Sequence, residues 1–117
     1  MVLDRQGGPN LAENWCVAPV IVDIDSDEIY YTPLYYVMGH FSKYIRPDAK
    51  RIGFSCADDE IMLTAVKNSD GSIVVVLLNT SENEKTFSLE LNQSIVNFKI
   101  NSEAIQTIVL NSNKTNR

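Results

Sequence analysis

Residue types that build metal centres and disulfide frameworks are scarce in this sequence. Its 117 residues include two cysteines, Cys16 and Cys56, and one histidine, His40. The forty-residue separation of the cysteines matches neither a zinc-ligand pattern nor a disulfide framework, so we predict two buried or idle thiols. The sequence therefore predicts neither a metal nor a cofactor.

Basic charge and long apolar runs are lacking as well. Ten lysines and arginines stand against fifteen aspartates and glutamates, a net charge of −5, so no basic surface is expected to bind nucleic acid. The longest apolar run, Ile73–Leu78, is far shorter than the roughly 20 residues of a membrane-spanning helix. The first residues show no secretory signal, which predicts a cytosolic chain. The chain is also too short for a complete eight-stranded α/β barrel, which takes about 250 residues.

Acidic residues follow one another in two turns. Asp23, Asp25 and Asp27 have the spacing that opens a calcium loop, but the sixth and twelfth positions are Glu28 and Leu34 where glycine and glutamate are needed. We therefore interpret them as an outward-facing acidic cluster in a hairpin turn. Asp58–Glu60 is likewise interpreted as a charged turn, and His40 as a helix residue and not as a general base.

The chain changes its hydrophobic period near residue 50. Residues 1–17 carry Gly7–Asn10 and no periodicity, which predicts a long loop. A hairpin over residues 19–31 and a helix from Pro33 to Ile45, with Thr32 as its N-cap, are predicted next. Six strands are predicted after that, over residues 51–57, 61–67, 73–79, 86–91, 95–100 and 104–110, with the third buried on both faces.

A loop, a hairpin and a single helix ahead of an all-β region are unusual for a self-sufficient domain. We expect this opening to be the last piece of something larger, with the sequence beginning in the middle. Three N-x-Ser/Thr sequences, at Asn79, Asn92 and Asn113, hint at a secreted ancestry. That hint conflicts with the missing signal.

Four ordered blocks carry a family resemblance. They are Gly7–Asn10, Pro19–Asp23, Gly39–Pro47 with Arg51–Gly53, and Asp70–Asn79. In this order and spacing they closely resemble the C-terminal third to quarter of the glucosylceramidases of glycoside hydrolase family 30. The likeness runs from about Leu3 to Leu110, which is nearly the whole chain.

The resemblance implies a fold and a division of the chain. The family joins a TIM barrel to a β-sandwich built from strands of both chain ends. The chain is then mainly β, with a C-terminal β-sandwich preceded by the last loop and helix of an α/β TIM barrel. Residues 1–46 are expected to be the last barrel segment, residues 47–110 the sandwich, and residues 111–117 a disordered tail.

The resemblance also implies a reaction whose catalytic residues are absent from this chain. Family members are retaining hydrolases that use one glutamate as acid/base and a second as nucleophile. Both lie N-terminal to the region covered here, so the chain alone is expected to be inactive. Asn14 and Trp15 match positions that line the glucose pocket and are the expected substrate-binding residues. Where the family often has an aromatic and a basic residue, this chain has Leu11–Glu13.

For the complete enzyme the resemblance implies hydrolysis of glucosylceramide to glucose and ceramide in lysosomes. The implied partners are an activator protein and an anionic lipid surface.

Two other functions stay open. One is a non-catalytic sandwich module that binds carbohydrate or another chain through exposed aromatic rings, for which the candidates are Tyr30, Tyr31, Tyr35 and Tyr36. The other is a truncated pseudo-enzyme that regulates a full-length partner.

The isolated chain is predicted to be marginally stable and prone to aggregation. Its helix stripe and any sandwich edge left without a neighbouring strand would expose apolar surface and unpaired backbone groups. Thermal unfolding followed by circular dichroism, with light scattering, tests this. A sharp cooperative transition from a soluble monomer would contradict it.

Overall fold

The structure, a computed structural model, describes residues 2–5 and 17–111. The chain divides into two compact units, unit 1 over Met1–Ser42 and unit 2 over Lys43–Arg117, which are described separately below. The described residues are mainly β with one short helix, as predicted. No helix among them is long and apolar enough to span a membrane. Most of the predicted tail, residues 112–117, lies outside the described residues.

Unit 1 contains a three-stranded sheet in the order β1-β2-β3. Strand β1 (Val2–Asp4) pairs in parallel with β2 (Val20–Asp23), and β2 pairs antiparallel with β3 (Glu28–Tyr31). The predicted hairpin is confirmed. The loop predicted over residues 1–17 is wrong at β1, because three residues are too few to show a period and their pairing partner is distant in sequence.

The helix of unit 1, α1, spans Pro33–Ser42. The apolar stripe predicted a helix that continues to Ile45, and the structure ends it three residues earlier. In the last turn the Ser42 hydroxyl donates to the Met38 carbonyl oxygen at 2.9 Å, a local bond that competes with the helix ladder. Ile45 packs instead in the core of unit 2.

Thr32 occupies the position before the helix, as predicted, but its hydroxyl does not cap it. The Thr32 carbonyl accepts the Tyr35 N–H at 2.9 Å, while the hydroxyl donates to the carbonyls of Ala18 and Pro19 at 2.9 and 3.1 Å. None of the helix residues is buried. Within the described chain the apolar stripe of α1 is thus exposed, with Leu34 and Val37 each 40% accessible.

Unit 2 contains a four-stranded antiparallel sheet and a separate hairpin. The sheet has the order β4-β5-β6-β9, where β4 is Lys50–Arg51, β5 is Ile61–Lys67, β6 is Ile73–Asn79 and β9 is Ile105–Leu110. The hairpin joins β7 (Lys85–Leu91) to β8 (Ser94–Ile100). The turn predicted between β5 and β6 is confirmed, with Gly71 at a φ of 86°.

Strand β6 is buried on both faces, which confirms the prediction for it. On one face Val75 and Leu77 belong to a core cluster that includes Ile61, Ile100 and Ile108. On the other face Val74 and Val76 pack with Val66 and with the partly buried residues Tyr44, Ile45, Ala49 and Ile105. A continuous apolar run is what a doubly covered strand requires.

The strand predicted over residues 51–57 is wrong. Only Arg51 of that range belongs to a strand, the two-residue β4, and residues 53–57 are exposed. An edge strand has a partner on one side only, so its length depends on long-range pairing that the alternation of side chains does not reveal. Cys56, predicted to be a buried or idle thiol, is an exposed free thiol. Cys16 lies outside the described residues.

Two isoleucines of β8 provide a matched test of the core. Ile100 is 2% exposed and belongs to the first core cluster, whereas Ile95 is 65% exposed. Ile100→Ala is expected to lower the free energy of unfolding by about 2–5 kcal/mol, through lost burial and the cavity left behind. Ile95→Ala should change it by less than about 0.5 kcal/mol. Urea unfolding of both variants measures the difference, and equal losses would contradict this core assignment.

Candidate functional site

The carboxyl ends of two parallel strands meet at one edge of the unit 1 sheet. Strand β1 ends at Asp4 and β2 ends at Asp23. Arg5, directly after β1, donates from Nη1 to Oδ2 of Asp23 at 2.7 Å. The Asp23 side chain is 6% exposed and that of Arg5 is 62% exposed. The pair therefore ties the ends of the two strands together while leaving most of the guanidinium in solvent.

Asp23 also organises the turn that follows β2. Its Oδ1 accepts the backbone N–H groups of Asp25 and Ser26 at 3.1 and 3.4 Å. Burial raises the pKa of Asp23, but the hydrogen bonds from Ser26, Arg5 and the backbone of the turn outweigh it, and the pKa lies below its ordinary value. The outward-facing acidic cluster was thus predicted correctly for the exposed Asp25 and Asp27 and wrongly for the buried Asp23.

The two predicted substrate-binding residues, Asn14 and Trp15, lie outside the described residues. The described residues nearest to them in sequence, Arg5 and Val17, belong to unit 1. Arg5 is bonded to Asp23, and Ala18 is 1% exposed with its carbonyl bonded to the Thr32 hydroxyl. The roles of Asn14 and Trp15 stay predictions.

The tyrosines proposed for a binding module are exposed but do not form one flat face. The ring centroids of Tyr31 and Tyr35 are 4.7 Å apart with the planes tilted by 51°, and those of Tyr35 and Tyr36 are 5.4 Å apart at 88°. The hydroxyl of the fourth, Tyr30, bonds the Glu28 carboxylate. Edge-to-face contact is a favourable way for aromatic rings to pack, but it gives a sugar no shared surface to stack on.

Unit 2 has an apolar cleft of about 720 Å³ between the sheet, the β7–β8 hairpin and residues 52–58. Its lining includes Leu63, Val75 and Leu77 from the sheet, and Phe87 and Leu89 from the hairpin. Phe87 stacks on Phe98 of the neighbouring strand, with centroids 5.7 Å apart. The apolar part of this lining suits packing against another apolar surface, and polar side chains such as Asp58, Lys85 and Glu90 line the cleft as well.

At one end of this cleft, Lys85 joins two carboxylates that sequence reasoning did not pair with it. Its Nζ donates to Asp58 Oδ2 at 2.6 Å and to Glu60 Oε2 at 2.7 Å. Two carboxylates this close invite comparison with the pair of a retaining glycosidase, in which the acid has a raised pKa. Here the Lys85 hydrogen bond holds the pKa of Asp58 below its ordinary value, the opposite of the shift that a general acid requires. The arrangement is a clamp between the hairpin and the 58–60 turn.

Neither Arg5 nor Lys85 is marked by a sequence signal. Arg5 lies in a stretch without periodicity and its partner is 18 residues away, while Lys85 and Asp58 are 27 residues apart. His40 lies in the last turn of α1, as the interpretation of it as a helix residue requires. No group of three or more potential metal ligands occurs among residues 2–5 and 17–111.

Both parts of the chain match models of known protein families. Residues 48–108 match the model of the glycosyl hydrolase family 30 beta sandwich domain, and residues 1–45 match that of the family 30 TIM-barrel domain. The chain is also similar to solved structures. SrfJ from Salmonella typhimurium superposes with a TM-score of 0.91 at 26% identity, over 95% of this chain and 25% of that one. The predicted fold class is confirmed.

The curated relatives are much longer than this chain. Putative glucosylceramidase 4 of Caenorhabditis elegans is 40% identical over 83 residues, and the lysosomal acid glucosylceramidase of Mus musculus is 38% identical over 85 residues. These alignments cover 69% and 72% of this chain. They cover 16% of each relative, so the chain spans about a sixth of the length of these proteins.

The pKa of Asp23 predicts how the strand-end pair depends on pH. The pKa of Asp23 is lower in the folded protein than in the unfolded chain, where it is about 3.9. The charged carboxylate therefore stabilises the fold at pH values above the unfolded pKa. This stabilisation is lost as the pH falls through the lower pKa of the folded protein. Asp23→Asn is expected to lower the thermal midpoint by the same amount at about pH 7 and about pH 5. Below about pH 4 the midpoint of the variant should approach that of the unsubstituted protein.

The control for this prediction is Asp27→Asn, at an exposed position of the same turn with a φ of 60° that asparagine tolerates. It should leave the midpoint nearly unchanged throughout. A difference between Asp23→Asn and the unsubstituted protein that grows as the pH falls would contradict the assignment.

Proposed function

We propose that this chain, which belongs to glycoside hydrolase family 30, is the C-terminal part of a lysosomal β-glucosidase of the glucosylceramidase type. The observation that carries the proposal is the order of the two family matches, TIM-barrel domain over residues 1–45 and sandwich domain over residues 48–108. The identity to glucosylceramidases of worm and mouse supports the substrate class. We assign residues 1–46 to the barrel and residues 47–110 to the sandwich.

The proposed reaction is hydrolysis of glucosylceramide to glucose and ceramide with retention of configuration. A retaining glycosidase holds two carboxyl groups about 5 Å apart, one as nucleophile and one as acid/base. We assign both to the remainder of the longer protein. Asp58 and Glu60 share Lys85 and do not serve this role.

This chain is proposed to contribute one wall of the glucose pocket. Loops at the carboxyl ends of barrel strands build the active sites of TIM-barrel enzymes. In sequence, Asn14 and Trp15 follow the carboxyl end of β1, where Arg5 is bonded to Asp23. We assign Asn14 a hydrogen bond to a sugar hydroxyl and Trp15 an apolar stacking face.

Exposed apolar surface in each unit supports a longer protein. No residue of α1 is buried, although Leu34, Val37, Met38 and Phe41 form its apolar stripe. Unit 2 has an open apolar cleft. Apolar surface on this scale is normally covered by another part of the molecule. We infer that other segments of the enzyme cover this apolar surface. We also propose an activator protein and an anionic lipid surface as partners of the enzyme.

The first test measures activity of the native protein. The protein is captured from its source cells with an antibody against residues 39–51. It is expected to release glucose from glucosylceramide and to be labelled covalently by a mechanism-based β-glucosidase inactivator, because a retaining enzyme passes through a glycosyl-enzyme intermediate. A captured protein that does neither, yet binds glycans or co-purifies with a full-length homologue, would support the binding-module or regulatory alternative instead.

A pair of asparagine variants in the same protein tests the pocket wall. Asn14→Ala is expected to lower kcat/KM about tenfold, the loss of one hydrogen bond of about 1.4 kcal/mol. Asn97→Ala is the control, because Asn97 is exposed on β8 and, among the described residues, its side chain hydrogen-bonds only Ser88, whose hydroxyl donates to Oδ1 at 2.7 Å. Equal kcat/KM values for the two variants would contradict the role assigned to Asn14.

A further inference from the structure

The structure places the asparagines of the N-x-Ser/Thr sequences in contrasting environments. Two of these sequences, Asn79–Ser81 and Asn92–Ser94, are described, and the third, at Asn113, lies outside the described residues. An N-linked glycan is attached to the side-chain amide nitrogen of the asparagine, on a surface loop. The amide must therefore be open to solvent and not committed to the fold.

Asn79, the last residue of β6, fails this requirement. It is 0% exposed. Its Nδ2 donates to the carbonyls of Asn83 and Asn101 at 2.8 and 2.9 Å, and its Oδ1 accepts the N–H and the hydroxyl of Ser81 at 3.0 and 2.8 Å. Every hydrogen-bonding position of the amide is filled. A glycan would replace one of these N–H groups and force a large polar substituent into a closed site.

Asn92 meets the requirement at the tip of the β7–β8 hairpin. It forms the two-residue loop with Gln93, and both residues have positive φ, 49° and 69°, as a type I′ turn requires. Asn92, Gln93 and Ser94 are all exposed. Within the part of the chain that the structure describes, no group hydrogen-bonds the Asn92 side chain. Asn92 also belongs to the lining of the unit 2 cleft, as an exposed residue at its edge.

We propose that Asn92 is an N-glycosylation site of this protein and that Asn79 stays unmodified. The donor is a lipid diphosphate that carries an oligosaccharide. A bond forms between Nδ2 of Asn92 and the anomeric carbon, the carbon–oxygen bond to the diphosphate breaks, and the amide proton leaves as the diphosphate departs. The inference rests on the proposed function, because the route to the lysosome passes through the compartment that holds this donor.

The test directs the 117-residue chain into that compartment. The 117-residue chain is expressed behind a cleavable secretory signal in cultured eukaryotic cells, and the folded, protease-resistant fraction is collected. Peptide N-glycosidase in heavy-oxygen water then converts each glycosylated asparagine to labelled aspartate, which peptide mass spectrometry locates. Most of the Asn92 peptide is expected to be labelled, and the Asn79 peptide is expected to be unlabelled.

Variants at Ser94 test the site without disturbing the turn. Substituting Asn92 itself would strain a backbone at positive φ, whereas Ser94 is an exposed strand residue. Ser94→Ala is expected to abolish the label at Asn92, and Ser94→Thr, which keeps the acceptor sequence, is the matched control and should retain it.

An unlabelled Asn92 peptide, or a labelled Asn79 peptide in the folded fraction, would overturn the proposal. Because the added signal supplies entry to the compartment, neither result bears on the proposed enzyme. The proposed function fails separately, if the native protein does not cleave glucosylceramide.

Discussion

Burial of β6 on both faces is the constraint on which the rest of unit 2 depends. Val74 and Val76 hold one layer and Val75 and Leu77 hold the other, so each layer packs against the same strand. Strand β6 also pairs with β5 on one side and β9 on the other. A strand in this position has no exposed edge, and β6 provides four of the nine apolar residues that are buried in the described part of unit 2.

Buried asparagines fix the chain just before and at the end of β6. Asn68, in the turn before the strand, donates to the Tyr44 carbonyl at 3.1 Å and the Ser72 hydroxyl at 3.0 Å, and accepts the Arg46 N–H at 3.0 Å. Asn79 binds the 81–83 turn and Asn101 at the other end. These amides hydrogen-bond backbone groups that have no partner in a neighbouring strand. Irregular segments can therefore pack at the ends of the buried strand without leaving polar groups unpaired.

The sequence predicts best where local chemistry decides the structure. The bounds of β5 and β6 are as predicted, because the turn at Asn68–Gly71 interrupts two long apolar runs. The predictions fail where distant contacts decide: β1 exists through pairing with β2, β4 is cut short at the sheet edge, and α1 ends before Ile45. The pairing of the exposed Arg5 with the buried Asp23 could not be foreseen, because the alternation of three aspartates does not indicate which of them faces inward. The family resemblance, which rests on four ordered blocks, is confirmed.

Three carboxylates share a property that suits the proposed acidic compartment. Hydrogen bonds hold the pKa values of Asp23, Asp58 and Asp70 below their ordinary range. In the folded protein such groups stay ionised until the pH approaches their lowered pKa values. The stability that they contribute is therefore fully present above the pKa of the unfolded chain and is lost as the pH falls through the folded value. The turns that position β2, the hairpin clamp and the β5–β6 connection are thus expected to persist in mildly acid solution.

The central claim is that this chain functions as part of a larger glycosidase, and the intact mass of the native product tests it most directly. Protein captured from source cells with the antibody against residues 39–51 is measured by intact mass spectrometry after glycan removal. We expect a species several times heavier than the 13.1 kDa of this chain. A sole product near 13.1 kDa would contradict it.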